Sequence, residues 1–337
     1  MLNYAIIGFG GLGKTHFNNY FKLCEKAGGV KLVAICDIDE SRFTTQTATN
    51  LGDSASNLDL SDYKLYTDAD TMFDNEQLDF VITALPTYLH AEMAIKAMNR
   101  GINVFSEKPM AISIEQAEDM LKAAKENNVK LMIGQCVRYF AEYKTLKEMI
   151  VSERFGKVVR ADFYRISGTP IWGWQNWFCD EAKSGGAPVD LHIHDTDYIN
   201  FAFGMPDYVV SFATHGKTKF DSITTTYMYG DTVVTARGDW GNPSETYRFN
   251  SGFSVRFEKA TLEYKNNVVT LYEDDKATDL VMPPIDGYLH EVIDFVCCIR
   301  DKKVSPVNPP EESINSLKIA MAEKESASKN GEKVYLK

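Results

Sequence analysis

Residues 3–13, with the sequence NYAIIGFGGLG, join a short apolar run to the glycine pattern G-x-G-x-x-G. The apolar run predicts a buried strand, and the apolar spacing of residues 14–27 predicts a helix directly after the glycines. A strand, a glycine loop and a helix in this order are typical of a dinucleotide-binding unit, because the loop lets phosphates reach the amino end of the helix. The stretch therefore predicts an amino-terminal domain of the Rossmann type.

The glycines of this loop are expected to have separate roles. Gly8 permits the tight turn, Gly10 lets a pyrophosphate approach the backbone, and Gly13 allows the helix to pack closely on the strand. Gly11 and Leu12 lie between them, where the start of the helix has free backbone N–H groups. All five residues are predicted to contact the cofactor.

An acid follows the second predicted strand, residues 31–36. Asp37 lies 24 residues after Gly13, where an acid bonds the ribose hydroxyls of NAD and repels the 2′-phosphate of NADP. Arg42 follows five residues later and would weaken that preference. We therefore expect NAD as the cofactor and NADP as the less favoured one.

The composition excludes several classes of protein. The 337 residues are 44% hydrophobic and 25% charged, which is ordinary for a globular protein of about two domains. The net charge of −11 argues against a nucleic-acid partner, and no apolar run is long enough to predict a membrane span. The six cysteines form no C-x-x-C pair, which favours a reducing, cytoplasmic environment.

The pattern of the sequence changes near residue 125. Before that point strands alternate with helices, which predicts a parallel sheet. Beyond it, β-rich runs separated by Gly, Asn and Asp turns predict a mostly antiparallel sheet. We expect an α/β fold, with a Rossmann doubly wound parallel sheet in residues 1–125 and an α+β domain with a large open sheet in residues 126–337. Helices of the second part are predicted at 141–151, 190–203, 288–300 and 310–329.

Two polar segments follow predicted parallel strands. Residues 83–90, TALPTYLH, come after one strand, and ligands bind outside the carboxyl ends of such strands. Residues 107–109, EKP, follow the apolar strand INVF and are expected to direct Lys108 into the same crevice. The plain alternative for the second segment is a surface salt bridge between Glu107 and Lys108.

A third polar segment is residues 190–197, DLHIHDTD, which follows Ser184-Gly185-Gly186. A single helix would place Asp190, His194 and Asp197 on one face, at spacings of four and three residues. The H-x-H pattern also fits the opening of a metal-dependent hydrolase site. That alternative is disfavoured because the chain has only six histidines and a dinucleotide fold precedes the pattern. No metal is expected.

With these motifs in place, the chain resembles the glucose–fructose oxidoreductase / inositol dehydrogenase / MocA family of NAD(P)-dependent oxidoreductases over nearly its whole length. Stretch 188–204, PVDLHIHDTDYINFAFG, is similar to the family's L-x-D-x-G-x-H-x-x-D motif, and 83–90 is similar to its T-P-N-x-x-H motif. Two residues depart from the family pattern: His192 stands where Gly is common, and Thr87 where Asn is common. The other matching pieces are GFGGLG (8–13), Asp37, Glu107-Lys108-Pro109, Arg138-Tyr139-Phe140, Phe155-Gly156-Lys157-Val158 and Trp177.

The resemblance implies a hydride transfer between a nicotinamide cofactor and a sugar, inositol or related polyol. His194 would be the general base, Lys108 would stabilise charge on the substrate oxygen, and Asp190 would orient the substrate. His192 and Asp197 remain open, as substrate-facing or as structural residues. Further cofactor contacts are expected at Thr83, Leu85, Pro86, Thr87, His90, Glu107 and Lys108, and the substrate pocket is expected to contain Lys108, Arg138, Tyr164, Trp177, Asp190 and His194.

The sequence leaves two other functions open. One is an NAD-dependent glycosidase-type enzyme that oxidises its substrate only transiently, and the other is a non-catalytic dinucleotide-binding sensor. The set of Lys108, Asp190 and His194 argues against a sensor, which has no need of an acid–base pair. The resemblance also implies a homodimer or homotetramer, with subunits paired through the sheet of the second domain.

Overall fold

The computed structural model describes residues 1–45 and 58–336, and the chain divides into two compact units. The first unit comprises Met1–Gln135, Trp172–Gln175 and Tyr288–Ile314. The second comprises Cys136–Ile171, Asn176–Gly287 and Asn315–Lys337. Within the described residues, no helix combines the length and the apolar character that crossing a membrane requires.

The first unit contains a parallel sheet of six strands in the order β3-β2-β1-β4-β5-β6. The order reverses between β1 and β4, so the expected doubly wound parallel sheet is confirmed. The strands are β1 (Leu2–Ile7), β2 (Val30–Cys36), β3 (Lys64–Tyr66), β4 (Phe80–Thr83), β5 (Asn103–Glu107) and β6 (Leu131–Gly134). The helices between them are α1 (Gly11–Asn18), α2 (Tyr20–Ala27), α3 (Ala69–Asn75), α4 (His90–Met98) and α5 (Ile114–Glu126).

The helix predicted over residues 14–27 is in fact two helices. α1 ends at Asn18 and α2 begins at Tyr20, with Asn19 between them. The predicted helix over 113–127 is present as α5, and its amino end is capped by Ser113, whose hydroxyl accepts from the backbone N–H of Gln116. β3 has only three residues, none of them buried, so its sequence carries no apolar run from which to predict it.

The later helix α10 (Gly287–Asp301) packs against the sheet of the first unit. The ring of Phe295 lies 5.7 Å from that of Phe80 in β4 and 5.8 Å from that of Phe105 in β5. A single boundary near residue 125 therefore does not describe the contacts of this helix. The apolar side chains of α10 pack in one buried cluster with strands that lie within residues 1–125.

The second unit contains a mixed sheet of nine strands in the order β14-β13-β12-β11-β7-β10-β9-β8-β15. Within this sheet, β7 and β10 are the only described strands that pair in parallel, so the mostly antiparallel sheet is confirmed. The strands are β7 (Val158–Gly168), β8 (Tyr208–Thr214), β9 (Ser222–Tyr229), β10 (Thr232–Asn242), β11 (Asn250–Phe257), β12 (Ala260–Lys265), β13 (Val268–Glu273), β14 (Lys276–Leu280) and β15 (Val334–Tyr335). The helices are α6 (Ala141–Ser152), α7 (Glu181–Ser184), α8 (Ala187–Asp190), α9 (Ile193–Phe203) and, from Asn315 onward, most of α11 (Pro310–Ser328).

Candidate functional site

The glycine loop between β1 and α1 is shaped by contacts that exclude side chains. Gly8 has a φ of +88°, and a Cβ there would collide with the carbonyl oxygen of Ala84. A Cβ on Gly13 would collide with the carbonyl oxygen of Gly8. A Cβ on Gly10, by contrast, would have no atom within 4 Å. The loop is thus closed on its protein side and open at Gly10, which fits the approach of a phosphate to the backbone.

Asp37 lies directly after β2 and holds the glycine loop. Its Oδ2 accepts a hydrogen bond from the N–H of Phe9 at 2.6 Å, and its Oδ1 accepts one from the N–H of Asp39 at 2.9 Å. Nearby, Arg42 forms an ion pair with Asp39 at 3.3 Å. The carboxylate is therefore fixed at the edge of the loop, in the place where an acid can bind ribose hydroxyls.

Lys14, which the sequence interpretation did not single out, is buried beside this loop. Its Nζ donates to the carbonyl oxygen of Thr45. Burial lowers the pKa of Lys14, and the positive charge of Arg42 lowers it further. The signal in the sequence is its position: Lys14 follows Gly13 directly on α1.

The segment after β4 is tied to the segment after β5 by His90. The His90 Nδ1 lies 2.7 Å from the carbonyl oxygen of Pro109, and its Nε2 lies 2.8 Å from that of Leu85. The side chain is 1% exposed. His90 therefore supports the main chain, because both ring nitrogens face main-chain oxygens, and its contact with the cofactor stays a prediction. Thr83 and Thr87 are also buried in this segment.

Glu107 is likewise engaged within the protein. Its Oε1 lies 2.7 Å from Nε2 of His16, a residue of α1, and both side chains are buried. The pair links β5 to α1, and a contact of Glu107 with the cofactor stays a prediction. His16 was missed from the sequence because its partner lies 91 positions away.

Lys108 differs from its neighbours in exposure. Among residues 104–111, all described, Lys108 is the only one that is not buried. The Lys108–Pro109 peptide bond is cis. A half-buried ammonium at the carboxyl end of a parallel strand can donate hydrogen bonds to a ligand there.

In the second unit, the segment 190–197 does not form one helix. α8 ends at Asp190, a turn follows at Leu191 and His192, and α9 begins at Ile193. The backbone N–H of His192 donates a hydrogen bond to the carbonyl oxygen of Ala187 at 2.7 Å, and this bond closes the turn. The prediction that Asp190, His194 and Asp197 share a face of a single helix is therefore wrong.

Two acids of α9 are used for buried ion pairs. Asp197 accepts from Nε and Nη2 of Arg138 at 2.8 and 2.7 Å, and it also accepts from the hydroxyl of Ser316. Asp195 pairs in the same bidentate way with Arg165 of β7, at 3.0 and 3.1 Å. Asp197 is thus a structural residue, and Arg138, 1% exposed, is committed to holding α9. A contact of Arg138 with substrate stays a prediction.

His192 is also a core residue, which decides between its two interpretations. It is 0% exposed, and its Nε2 lies 3.1 Å from the hydroxyl of Tyr227 and 3.6 Å from Oε2 of Glu323. Burial lowers the pKa of His192 to about 3 and raises that of Glu323 to about 8. The ring fits because Gly238 of β10 has no side chain: a Cβ there would lie 2.7 Å from the His192 Cβ.

His194 is the candidate catalytic residue of this segment. Among residues 184–200, all of them described, it is the only one that is not buried. Asp190, four residues earlier, is 8% exposed at the end of α8. The structure therefore buries most of the polar residues of the segment and presents one imidazole, with a carboxylate nearby in sequence.

The two aromatic residues expected in the substrate pocket have different positions. Tyr164 lies on β7 between Phe163, whose ring packs 5.9 Å from that of Tyr198 in α9, and Arg165, which pairs with α9. Because alternate residues of a strand face opposite sides, Tyr164 lies on the sheet face away from α9. A contact of Tyr164 with substrate stays a prediction. Trp177 is 8% exposed and stacks on Phe178 at 4.0 Å.

Metal ligands are not grouped in the part of the chain that the structure describes. No three His, Cys, Asp or Glu side chains there lie close enough together to hold an ion. His192 and His194, which carry the H-x-H pattern, differ in burial, since the first is inside the core.

Comparison with known protein families identifies both halves of the chain. Residues 2–135 match the model described as "Oxidoreductase family, NAD-binding Rossmann fold", and residues 147–336 match "Oxidoreductase family, C-terminal alpha/beta domain". The first unit is thus an NAD-binding Rossmann domain.

Individual relatives agree with the family match. The scyllo-inositol 2-dehydrogenase (NAD(+)) of Bacillus subtilis is 26% identical over 98% of this chain and 95% of its own. The 2,7-anhydro-N-acetylneuraminate hydratase of Mediterraneibacter gnavus is 30% identical over 62% of this chain, and the match spans about half (51%) of that relative's length. The crystal structure of myo-inositol 2-dehydrogenase from Lactobacillus plantarum has a TM-score of 0.79 at 28% identity, over 100% of this chain and 99% of that one.

Proposed function

This chain belongs to the Gfo/Idh/MocA oxidoreductase family, and we propose that it is an NAD-dependent dehydrogenase of a sugar, an inositol or a related polyol. The reaction would convert a secondary hydroxyl to a carbonyl, or the reverse. The similarity to two inositol dehydrogenases over nearly the full chain supports this substrate class.

The observation that carries the proposal is the exposure of Lys108 and His194. Each is the one residue left accessible in an otherwise buried stretch, 104–111 in the first unit and 184–200 in the second. A lysine and a histidine are the donor and the base that oxidation of a hydroxyl requires. Burial of their neighbours confines each group to a defined position.

We assign the roles as follows. His194 accepts the proton of the substrate hydroxyl, because an imidazole titrates near neutral pH. Lys108 donates a hydrogen bond to a substrate oxygen and stabilises negative charge that develops on it. Asp190 binds a neighbouring hydroxyl and orients the ring. When bound, NAD supplies the acceptor for the hydride that leaves the substrate carbon.

The choice of NAD over NADP is proposed from Asp37. Its carboxylate is held at the end of β2 by the N–H groups of Phe9 and Asp39. A fixed negative charge there favours the two free ribose hydroxyls of NAD and opposes a 2′-phosphate. Arg42, which would favour the phosphate, is engaged with Asp39.

The test is a panel of sugars, inositols and their phosphates, offered with NAD and with NADP and followed at 340 nm. With the substrate found, Lys108→Ala and His194→Ala should each lower kcat/KM by roughly 10²–10⁴-fold, because each removes charge stabilisation or proton transfer. Binding of NADH, followed by its fluorescence, should persist in both variants.

Matched controls exist in each unit. Lys125→Ala removes an exposed lysine of α5, and His215→Ala removes an exposed histidine that follows β8. Both should keep the activity of the unaltered protein. Turnover that survives in Lys108→Ala and His194→Ala would overturn the catalytic assignment.

A second candidate is a reaction on the same scaffold without net oxidation. The hydratase of Mediterraneibacter gnavus supports it, as a relative whose name describes no redox product. In that case the purified protein should retain NAD, and a glycosidic or anhydro sugar should be converted without added cofactor and without a change at 340 nm. A net absorbance change that is stoichiometric with product would exclude it.

A further inference from the structure

We propose that His90 is a positioning residue that holds Lys108 in place through the carbonyl group of Pro109. This inference rests on the proposed function, in which Lys108 contacts the substrate. It concerns the first unit alone and the contacts within it.

The contacts of His90 join two loops at the carboxyl edge of the parallel sheet. Its Nδ1 lies 2.7 Å from the oxygen of Pro109, in the loop after β5. Its Nε2 lies 2.8 Å from the oxygen of Leu85, in the loop after β4. With 1% exposure, the ring is shielded from water, which otherwise competes for the carbonyl groups. Burial also lowers the pKa of His90, so the neutral ring has a single N–H to donate, and we assign that N–H to Nδ1 and the oxygen of Pro109.

His90 is itself anchored by secondary structure. It is the first residue of α4, so its backbone is part of a helix that packs on β4 and β5. A side chain on a regular element holds its partner more precisely than one on a loop does. The position of the Pro109 carbonyl is therefore set by the helix and not by the loop alone.

Lys108 precedes Pro109 directly, so the two contacts on either side of it define its backbone. On one side, the neighbouring Glu107 is fixed by its 2.7 Å contact with His16. On the other side, Pro109 is fixed by His90. The buried neighbours hold the main chain while the Lys108 side chain stays accessible.

The two contacts of His90 can be separated by substitution. Asn carries its amide nitrogen at the same distance from the backbone as Nδ1, whereas Gln carries its nitrogen at the distance of Nε2. His90→Asn therefore keeps a donor for Pro109 and loses the contact with Leu85. His90→Gln places an amide donor near the oxygen of Leu85 and loses the hydrogen bond to Pro109.

If His90 acts through Pro109, His90→Asn should retain kcat within about threefold, and His90→Gln should lower kcat by about 10- to 100-fold, the loss that a small misplacement of a catalytic group causes. The KM of the sugar and the Kd of NADH should change little in either variant. Equal losses of kcat in both, or a loss confined to NADH binding, would overturn the proposal. The same two substitutions at the exposed His215 serve as controls for general effects.

A second measurement does not depend on activity. Lysines are labelled by reductive ¹³C-methylation, and the Lys108 resonance is identified by its absence in Lys108→Arg. Its chemical shift and titration should match the unaltered protein in His90→Asn and should move in His90→Gln. An unchanged Lys108 resonance in a folded His90→Gln variant would refute positioning, whereas a protein that oxidises no polyol yet shows these shifts would refute only the proposed function.

Discussion

The glycine loop after β1 and the segment 190–197 are both dense in functional residue types, yet they are built in different ways. In the loop, Gly13 is required by the carbonyl group of Gly8, which lies only five residues earlier. In the segment, polar residues only two positions apart have different partners: Asp195 pairs with Arg165, and Asp197 pairs with Arg138. Backbone geometry is a local property, whereas the partner of a buried charge is a property of the whole unit.

The comparison also separates two uses of buried histidine. His16 and His90 of the first unit support the main chain on both sides of Lys108, through a carboxylate and a carbonyl group. His192 of the second unit instead faces the side chains of Tyr227 and Glu323 inside the core. A histidine in a motif can therefore support the site or the core, and burial alone does not distinguish the two.

The largest loss of stability is expected from breaking a buried ion pair of α9. Asp197→Ala would leave the buried guanidinium of Arg138 without this carboxylate, and it should lower the free energy of unfolding by about 3–5 kcal/mol. Urea denaturation measures the loss. Glu325→Ala is the control, since the ion pair of Glu325 with Lys329 is half exposed and should matter little. A small loss in Asp197→Ala would mean that the pair is not what holds α9.

A second effect depends on pH and comes from Glu323. Its pKa is raised to about 8 by burial, and that of His192 is lowered to about 3. Between about pH 4.5 and 6.5 the two opposite contributions cancel, because unfolding releases the proton of Glu323 and lets His192 take one up. Above about pH 6.5 only Glu323 differs between the two states, so stability falls as the pH rises to about 8.

The Glu323→Gln variant should remove this fall. The unaltered protein should lose about 2 kcal/mol between pH 6.5 and 8, at about 1.4 kcal/mol per pH unit, while the variant should stay level. Urea denaturation at a series of pH values tests this. Glu325→Gln, an exposed residue of the same helix, should keep the fall. An identical pH profile in Glu323→Gln would show that the carboxyl is ionised in the folded state.

The smallest expected loss of stability concerns the packing of His192 against β10. Gly238→Ala would place a methyl group 2.7 Å from the Cβ of His192 and 2.9 Å from its Nδ1, so it should destabilise the unit. The penalty should shrink when His192 is replaced by Gly. A double-mutant cycle should give a coupling of about 1 kcal/mol. Additive losses would mean that Gly238 is needed for another reason.

The fold class was predictable because the spacing of apolar residues along the sequence indicates which face of a helix or strand is buried. The strand–loop–helix start, the parallel sheet and the later antiparallel sheet all follow from patterns within a few residues. The place of α10 was not predictable in this way. Its apolar stripe shows that it covers something, but Phe80 and Phe105 lie about two hundred residues earlier in the chain.

The candidate site was predictable only in part, for the same physical reason. Lys108 and His194 were singled out from their motifs, and both are accessible. The face of the sheet on which Tyr164 lies was not predictable, because side chains of a strand alternate between two faces and the packing of α9 decides which face is which. His16 carries no motif of its own, so its pairing with Glu107 becomes visible only in three dimensions.

The sequence by itself determined the glycine loop, because the clashes that exclude a side chain at Gly13 arise from backbone only five residues away. It also determined the periodicities that make one sheet parallel and the other mostly antiparallel. The tertiary structure decided which polar residues of 190–197 are buried and that His194 alone among them stays accessible. Burying a charge is tolerable only beside a partner, and partners such as Arg138 and Arg165 are brought to α9 only when the chain folds.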